Sequence, residues 1–396
     1  MERAVCVCYH GGAEESQCRC SLIQRCFLFI GGLGMDTHRI VLLGGGYGGM
    51  YFMRTLLARL PDHVEVTLID RLPKSPLKTE FYSITAGTTS LKDVTMPFPT
   101  HPKLTCIFDE VLLINQEQKT VTCREQGDVA YDTLVVALGC VDRFHGIAGA
   151  EMYSNSLQSL KRAQMTGHDI LTMDAYRSVV LIGAGLTGIE LAAELRESRP
   201  DLNVTIVDRN DKVLKGFSPK LQEYVESWLT EHDVTILHGI QTERIEPDHI
   251  VHQQGTIPFD QLVWTAGIQA SPLIRSLQCS FDSIGRAAVN EWLQLPGDPA
   301  VFVIGDSAAS VHPPSAQLAE FHGEYAAQTI LSLLQNEQPK QREYQNKGQL
   351  GSLGKGMGFG QVKGVDLAGK IPRLLKSGVL WSYKKHVEKT TVLTKE

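Results

Sequence analysis

The fold is decided by residues 179–208, VVLIGAGLTGIELAAELRESRPDLNVTIVD. An apolar strand runs into a turn with three glycines, an Ala- and Leu-rich helix follows, and a second strand ends in an acid. In a βαβ unit of this kind the glycines allow a tight turn, close approach of the backbone to a pyrophosphate and close packing of helix on strand. The stretch therefore predicts a dinucleotide site with Gly183, Gly185, Gly188 and Asp208 as binding residues.

Residues 40–70, IVLLGGGYGGMYFMRTLLARLPDHVEVTLID, repeat this layout. Their glycines are Gly44, Gly46 and Gly49, and their terminal acid is Asp70. The first glycine and the acid lie 26 residues apart here and 25 apart in the later unit. Two such units indicate two bound nucleotides, and the commonest use of such a pair is electron transfer between them. We expect an α/β fold with two Rossmann-like dinucleotide-binding domains and a C-terminal amphipathic segment.

The composition is that of a globular protein with two to three domains, at 396 residues, 43% hydrophobic and 21% charged. No apolar run reaches the roughly 18–20 residues that cross a bilayer. A net charge of -6 argues against nucleic acid as a main partner. Residues 361–396 carry eight Lys/Arg and three Asp/Glu, a net of +5, so the preceding part carries -11. A basic tail thus follows an acidic body.

The cysteines indicate reduced thiols, as in the cytosol, because four of the nine are scattered through the body without a close pair. The other five lie in the first 26 residues, where two Cys-x-Cys pairs match no common zinc pattern, and we expect no metal site. Met35 stands five residues before the first strand. We therefore expect residues 1–34 to be a disordered, dispensable extension.

Three further apolar strands end in glycine, where a backbone can approach a cofactor closely. YDTLVVALG ends at Gly139, LVWTAGI contains Gly267, and VFVIGD ends at Asp306. Asp306 can reach the ribityl chain of a flavin or cap a helix that begins near Ser307, and both roles stay open. For Cys140 we favour a small core side chain over a redox role.

The helix of the later unit carries two acids one turn apart. Glu190, two residues after Gly188, lies at the end that faces a bound dinucleotide. It is either an acid placed favourably in the helix dipole or a site residue. Glu194 is expected to be solvated or paired with Arg196. Asp208 favours NADH over NADPH, because a carboxylate binds the ribose 2′-hydroxyl and repels a 2′-phosphate.

Taken in order, GGGYGG, GAGLTGIE, WTAGI, VIGD and PPSAQLAEFHGE resemble the type II NADH dehydrogenases, single-chain flavoproteins that pass electrons from NADH to a quinone without pumping protons. The most specific part is residues 314–323, which resemble the quinone-site helix of that family through Ala316, Gln317 and Ala319. Phe321 stands where the family has a second Gln, which leaves the identity of the acceptor open.

The resemblance implies that the first unit and Asp306 hold FAD, that the second unit with Gly267 binds NADH, and that Ala316 lies by the flavin. It also implies catalytic roles for Gln317 at the acceptor and for Glu190 between nicotinamide and flavin. The implied domains are an FAD-binding domain at 35–145 and 271–345, an NADH-binding domain at 146–270, and a C-terminal membrane-association segment at 346–396.

The tail, residues 371–386, reads IPRLLKSGVLWSYKKH and predicts a short amphipathic helix. Such a helix can lie in the interface of an anionic membrane, or it can pack on the body with its charges solvated. From the resemblance, Lys376 is also a candidate basic group near the active site. Residues 347–360, rich in glycine, predict a hairpin or loop. The expected apolar face is Leu374, Leu375, Val379, Leu380 and Trp381, and the expected basic face is Arg373, Lys376, Lys384 and Lys385.

The leading hypothesis is a NADH:quinone oxidoreductase with FAD, cytoplasmic and peripherally bound to the inner face of the cell membrane, with a homodimer left open. One alternative is a soluble NAD(P)H-flavin oxidoreductase, ferredoxin-reductase-like or apoptosis-inducing-factor-like, with a protein or small acceptor. Another is a flavin-bound, redox-responsive scaffold. A disulfide reductase lacks support because no close Cys pair follows Cys26. Sulfide oxidation would need Cys140 and Cys279 and is less favoured.

Overall fold

The computed structural model describes residues 37–391, so residues 1–34, predicted to be a disordered extension, lie outside the described residues. The helices, numbered in chain order, are α1 (Tyr47–Leu57), α2 (Phe81–Thr85), α3 (Ala150–Tyr153), α4 (Leu160–Leu171), α5 (Leu186–Ser198), α6 (Pro219–Glu231), α7 (Ala316–Leu334) and α8 (Lys370–Thr391). Single 3-10 turns lie at Lys78–Glu80, Leu91–Val94, Pro272–Ser276 and Gly305–Ser307.

The strands before residue 200 are β1 (His38–Leu43), β2 (Val64–Asp70), β3 (Lys74–Pro76), β4 (Thr95–Pro97), β5 (Leu104–Phe108), β6 (Val111–Asn115), β7 (Thr120–Cys123), β8 (Gly127–Ala130), β9 (Thr133–Val136), β10 (Cys140–Asp142), β11 (Asn155–Ser156) and β12 (Ser178–Ile182). The later strands are β13 (Asn203–Val207), β14 (Val234–Leu237), β15 (Thr242–Ile245), β16 (His249–His252), β17 (Gly255–Pro258), β18 (Gln261–Trp264), β19 (Ile268–Ala270), β20 (Gln294–Leu295), β21 (Asp298–Val303), β22 (Gly348–Leu353), β23 (Met357–Val362) and β24 (Val365–Gly369).

Two parallel sheets form the framework. The first has the order β20-β21-β9-β1-β2-β5, and only its edge strand β20 is antiparallel to its neighbour. The second, β11-β18-β12-β13-β14, is parallel throughout. Their central strands are apolar on both faces, as a sheet covered by helices on both sides requires. The prediction of two Rossmann-like units in an α/β fold is confirmed.

Helix α7 packs directly on α1, so the C-terminal half of the chain completes the first unit. The helices approach so closely that a Cβ added at Gly323 would lie 2.1 Å from the carbonyl oxygen of Gly48. Only glycine fits there without moving a backbone. This contact fixes the start of α7 beside the glycine turn that opens α1.

The chain after α7 forms an antiparallel sheet, β22-β23-β24, and then α8. The predicted hairpin at 347–360 is confirmed as β22 and β23. Helix α8 packs on these strands, and Phe359 and Tyr383 join the apolar cluster that contains one face of each parallel sheet. The tail thus contains a small sheet as well as the expected helix.

Helix α8 has a buried face and an exposed apolar face. The buried face carries Pro372, Lys376, Leu380, Tyr383 and Val387, spaced three to four residues apart. Lys376 therefore points inward, and its placement on an exposed basic face is wrong. The exposed side carries five large apolar side chains beside polar ones, namely Ile371, Leu374, Leu375, Val379 and Trp381. Within the described residues, none of the helices combines the length and the hydropathy that a membrane span requires.

Candidate active site

The first glycine turn joins β1 to α1. Gly44 has φ +96°, and a Cβ there would lie 2.5 Å from the carbonyl oxygen of Ala137. A Cβ at Gly49 would lie 2.1 Å from the oxygen of Gly44, whereas the space around Gly46, the residue before α1, is open. The first and third glycines thus permit the turn and the packing, and the middle one leaves the helix N-terminus open to a phosphate.

Asp70 closes this turn from the neighbouring strand. Its carboxylate accepts the backbone N–H of Gly45 at 2.7 Å and that of Leu72 at 2.8 Å. Burial raises the pKa of Asp70 despite these hydrogen bonds. The acid therefore stands at the end of β2, beside the turn, where a ribose would lie.

The second turn repeats this arrangement. Gly183 has φ +112°, a Cβ at Gly188 would lie 2.0 Å from the oxygen of Gly183, and Gly185 is open. Asp208 accepts the N–H of Ala184 at 2.6 Å and the backbone and side-chain N–H groups of Asn210, each at 2.7 Å.

A cleft in front of this second turn is lined by Gly185, Asp208, Lys215 and Gln349, among others. Gln349 belongs to β22, so the C-terminal sheet forms part of the cleft wall. Gly267, with φ +106°, follows the end of β18, and the Cα of the preceding Ala266 would lie 2.9 Å from a Cβ at Gly183. The residues predicted for one nucleotide are therefore together at one sheet edge.

Gly139 and Asp306 meet at the corresponding edge of the first sheet. The hydroxyl of Ser307 donates to the carbonyl of Gly139 at 3.1 Å. The predicted helix near Ser307 is wrong, because Gly305–Ser307 is a single 3-10 turn and the α-helix begins at Ala316. Asp306 Oδ2 accepts from the thiol of Cys140 at 3.2 Å, and Oδ1 is buried without a partner among the described residues.

A buried carboxylate oxygen without a donor costs about 1–3 kcal/mol or more. A ligand hydroxyl at Oδ1 removes that cost, so Asp306 fits the ribityl chain of a flavin. Sequence patterns missed Lys78, whose ammonium donates to the carbonyl of Cys140 at 3.0 Å and lies 3.2 Å from its sulfur. Lys78 thus adds a positive charge to this edge.

Cys140 is a protonated thiol in this setting. Burial raises its pKa to about 12, so little thiolate is present near neutral pH. Cys279 instead packs on the apolar cluster that contains Val41 and Leu43. The described structure therefore gives no support to a redox role for these two cysteines.

Glu190 lies in the first half of α5 and is 6% exposed. Its Oε1 accepts the backbone N–H and the hydroxyl of Ser352, each at 2.9 Å, and pairs with the ammonium of Lys376. The hydroxyl of Tyr82 lies 2.9 Å from Lys376 Nζ and 3.0 Å from Ser352 Oγ. Burial lowers the pKa of Lys376, but Glu190, Tyr82 and Glu80 together outweigh this effect, so the pKa lies above its usual value.

Glu194, one turn further along α5, is also buried, so the expectation of a solvated acid is wrong. It accepts a hydrogen bond from the hydroxyl of Thr88 at 2.5 Å. Burial raises its pKa. Glu194 makes no hydrogen bond to Lys376 among those described, and the two acids of this helix therefore have different partners.

The predicted acceptor residues lie at the start of α7. Ala316 is the first helical residue, and Gln317 donates to the carbonyl of Gly348, on β22, at 2.9 Å. The amide oxygen of Gln317 is buried without a partner among the described residues. This amide oxygen therefore needs a hydrogen-bond donor, which a ligand could supply.

Phe321, where the resemblance leads one to expect Gln, is held in an aromatic cluster. Its ring stacks on Tyr325 with centroids 5.7 Å apart and contacts Tyr344 at 5.6 Å. The guanidinium of Arg342 lies 5.4 Å from its centroid and pairs with Glu324 at 2.8 Å. This side of α7 thus presents an apolar ring in place of an amide.

His322 supports the 3-10 turn that carries Asp306. The backbone N–H of Gly305 donates to His322 Nδ1 at 3.2 Å. Burial lowers the pKa of His322 to about 4. The ring is therefore neutral at physiological pH, as a ring nitrogen that accepts a hydrogen bond must be.

Two glycine turns on two parallel sheets, with Asp306 at one sheet edge and Glu190 beside the other turn, define an oxidoreductase that binds two dinucleotides. Residues 38–323 match the pyridine nucleotide-disulphide oxidoreductase family, and the chain belongs to that family. It is an NAD(P)H-dependent flavin oxidoreductase, and its cofactors are FAD and NADH.

Its relatives include the NADH dehydrogenase-like protein YutJ of Bacillus subtilis, which is 40% identical over 88% of this chain and 99% of that protein. The type II NADH:quinone oxidoreductase of Staphylococcus epidermidis is 29% identical over 87% of this chain and 94% of its own length.

Solved structures share the fold. NDH2 from Plasmodium falciparum in complex with NADH superposes with a TM-score of 0.78 at 15% identity, over 91% of this chain and 98% of that one. The sulfide:quinone oxidoreductase of Aquifex aeolicus gives 0.75 at 19% identity, over 90% and 93% of the two chains.

Proposed function

We propose that this protein is a NADH:quinone oxidoreductase that pumps no protons and works at the inner face of the cell membrane. The domain boundaries predicted above remain part of this proposal. The first unit is assigned to FAD through Gly44, Gly46, Gly49, Asp70, Gly139, Asp306 and Ala316. The second is assigned to NADH through Gly183, Gly185, Gly188, Asp208 and Gly267. When bound, FAD accepts a hydride from NADH and supplies electrons to the acceptor.

The observation that carries the quinone assignment is that α8 has one face buried against the candidate active site and an opposite face with exposed apolar side chains. One face places the Lys376 ammonium against Glu190, on the helix that opens at the second glycine turn. The other face exposes 70% of Leu374 and 61% of Trp381. A lipid-soluble acceptor held by a membrane on the outer face would be within one helix diameter, about 10–12 Å, of this pair. The names of the relatives support the same acceptor class.

Lys376 and Glu190 have distinct roles in the proposed reaction. The ammonium offers positive charge and a proton to an acceptor oxygen that becomes more basic as it gains electrons. The Glu190 carboxylate keeps Lys376 charged in a buried setting and fixes its position. Gln317, with its unpartnered amide oxygen, is assigned to the acceptor site.

Membrane attachment is assigned to the outer face of α8. A short basic amphipathic helix can lie in the interface, and each Lys or Arg near an anionic leaflet adds about 1 kcal/mol. Lys384 and Lys385 are available for this, with Lys385 Nζ 4.7 Å from the ring centroid of Trp381. Replacing Leu374, Val379 and Trp381 by Ser should abolish sedimentation with anionic vesicles. Leu113→Ser, on exposed strand β6, is the control and should leave sedimentation unchanged.

The activity is tested on the FAD-loaded protein without oxygen. NADH should bleach the flavin absorbance, and the addition of a soluble short-chain quinone should restore it. Bleaching without restoration by quinone, combined with restoration by a protein or other small acceptor, would refute the proposal.

Phe321 favours a second candidate, an oxidoreductase that uses a non-quinone acceptor. An aromatic ring cannot donate a hydrogen bond to a quinone carbonyl, whereas the amide expected from the resemblance can. If a quinone is the acceptor, Phe321→Gln should increase the quinone rate or leave it unchanged. A large loss of the rate with another small acceptor in this variant would favour the second candidate.

A further inference from the structure

A chain of polar side chains leads from the Glu190–Lys376 pair toward the surface. The Tyr82 hydroxyl lies 3.3 Å from Glu80 Oε2, 2.9 Å from Lys376 Nζ and 3.0 Å from Ser352 Oγ. Tyr82 is 4% exposed and Ser352 is fully buried, whereas Glu80 is partly exposed. The end of this chain at Glu80 is therefore the one at which water can exchange protons.

The hydrogen bonds can be assigned consistently along this chain. Lys376 has three protons and finds three acceptors, in Glu190, Tyr82 and, at 3.4 Å, Ser352. The Tyr82 hydroxyl can then donate to Glu80 when Glu80 is a carboxylate, or accept from Glu80 when Glu80 is protonated. The single Ser352 hydroxyl proton can point to Glu190 or to Tyr82, since both oxygens are within 3.0 Å. Each link can therefore both give and receive a proton.

We propose that Tyr82 and Glu80 deliver the proton that Lys376 gives to the acceptor, with Ser352 holding the chain in line. This inference rests on the proposed quinone reaction, NADH + quinone + H⁺ → NAD⁺ + quinol, which takes one proton from the solvent. After Lys376 gives up a proton, its neutral amine takes the Tyr82 hydroxyl proton. Tyr82 then takes the proton of protonated Glu80, and the H⁺ drawn from the solvent protonates Glu80 again. Tyr82 and Glu80 act through Lys376 and are positioning residues.

The surroundings of Glu80 suit this role. Burial raises its pKa, although the positive charge of Lys376 opposes the shift. The other groups that face it are Arg373 of α8, which lowers the pKa, Glu190 of α5, which raises it, and the hydroxyls of Tyr82 and, from α1, Tyr47. A carboxyl whose pKa is raised keeps a larger protonated fraction near neutral pH and can pass that proton inward.

Ferricyanide and a soluble quinone can be compared as acceptors to distinguish a loss of proton delivery from a loss of electron transfer. Ferricyanide takes one electron and no proton, whereas a soluble quinone takes two electrons and two protons. In Tyr82→Phe and Glu80→Gln the quinone rate should fall at least about tenfold, since a positioned proton donor is worth about 10²–10⁴-fold. The ferricyanide rate should stay within twofold. Deuterated water should slow quinone reduction more in these variants than in the wild type, and Glu80→Asp should recover most of the rate.

Two variants serve as controls. Tyr131→Phe removes a buried hydroxyl without a partner among the described residues, and Glu194→Gln neutralises the buried acid one turn from Glu190. Both should keep the wild-type ratio of quinone to ferricyanide rates. An unchanged ratio in Tyr82→Phe and Glu80→Gln, or an equal loss with both acceptors, overturns the inference and leaves the proposed function intact. A wild-type protein that reduces ferricyanide but no quinone overturns both.

Discussion

Removing the Lys376 ammonium should destabilise the protein more than replacing Lys370, Lys384 or Lys385, the other lysines of α8 whose side chains the structure describes. The side chains of Lys376 and Glu190 are 13% and 8% exposed. Breaking a buried pair by removing one partner costs about 3–5 kcal/mol, because the other charge stays buried. The unfolding entropy of about 2.1 cal/mol/K per residue amounts to roughly 0.83 kcal/mol/K for a chain of 396 residues, so Tm should fall by ~4–6 °C in Lys376→Met.

The assay is thermal unfolding of the FAD-loaded protein, with Lys385→Met as the matched control. Lys385 is exposed and contacts only the Trp381 ring among the described partners, so its loss should cost no more than about 1 kcal/mol. The double variant Lys376→Met with Glu190→Leu should recover at least ~2 kcal/mol, because an apolar pair carries no uncompensated charge. The prediction of a buried ion pair would be refuted if Lys376→Met lowered the free energy of unfolding by less than about 1 kcal/mol. It would also be refuted if the double variant were no more stable than Lys376→Met alone.

Three further variants test other parts of the structure. Asp208→Ala should raise kcat/KM for NADPH relative to NADH by about tenfold or more, because the carboxylate that repels a 2′-phosphate is gone. An unchanged ratio in steady-state assays would show that Asp208 does not contact the ribose. Gly323→Ala should cost about 1–3 kcal/mol by forcing α7 off α1, whereas Gly378→Ala, in open space on α8, should be neutral or stabilising by up to about 1 kcal/mol. His322 has its pKa lowered to about 4, so below pH 6.5 the unfolded chain binds a proton that the folded protein does not. Stability due to His322 is therefore complete above pH 6.5 and falls by about 3 kcal/mol as pH drops to 4; urea titrations of His322→Gln should lack this fall, and equal pH dependence in both proteins would contradict it.

The two nucleotide turns could be predicted because their physical requirements are local. Gly44 and Gly49 are five residues apart, and each is needed by the same turn. The acid at the end of the next strand follows from the length of one helix and one strand. The spacing of a short stretch therefore contains most of the information that places these residues.

The surroundings of Glu190 could not be predicted in the same way. Tyr82, Ser352 and Lys376 come from three elements that lie more than a hundred residues from Glu190 in the chain, and no spacing rule relates them. A lysine on an amphipathic helix is expected to be solvated unless its buried counter-charge is known. The same lack of tertiary information led to a solvated Glu194, which is in fact buried against Thr88.

The apolar pattern of α8 predicted a helix but left its orientation undecided. Both of its faces carry apolar side chains, because Tyr383 and Val387 are buried while Leu374 and Trp381 are exposed. Only the packing against β22 and β23 decides which face is inward.

The most direct test is the reduction by NADH of a long-chain quinone held in anionic vesicles, measured beside a water-soluble quinone. The account predicts that the wild-type protein reduces both. It also predicts that replacing Leu374, Val379 and Trp381 by Ser lowers the rate with the vesicle quinone at least tenfold and leaves the soluble rate within twofold. A wild-type protein unable to reduce the vesicle quinone, or a variant that reduces it at the wild-type rate, would contradict the account.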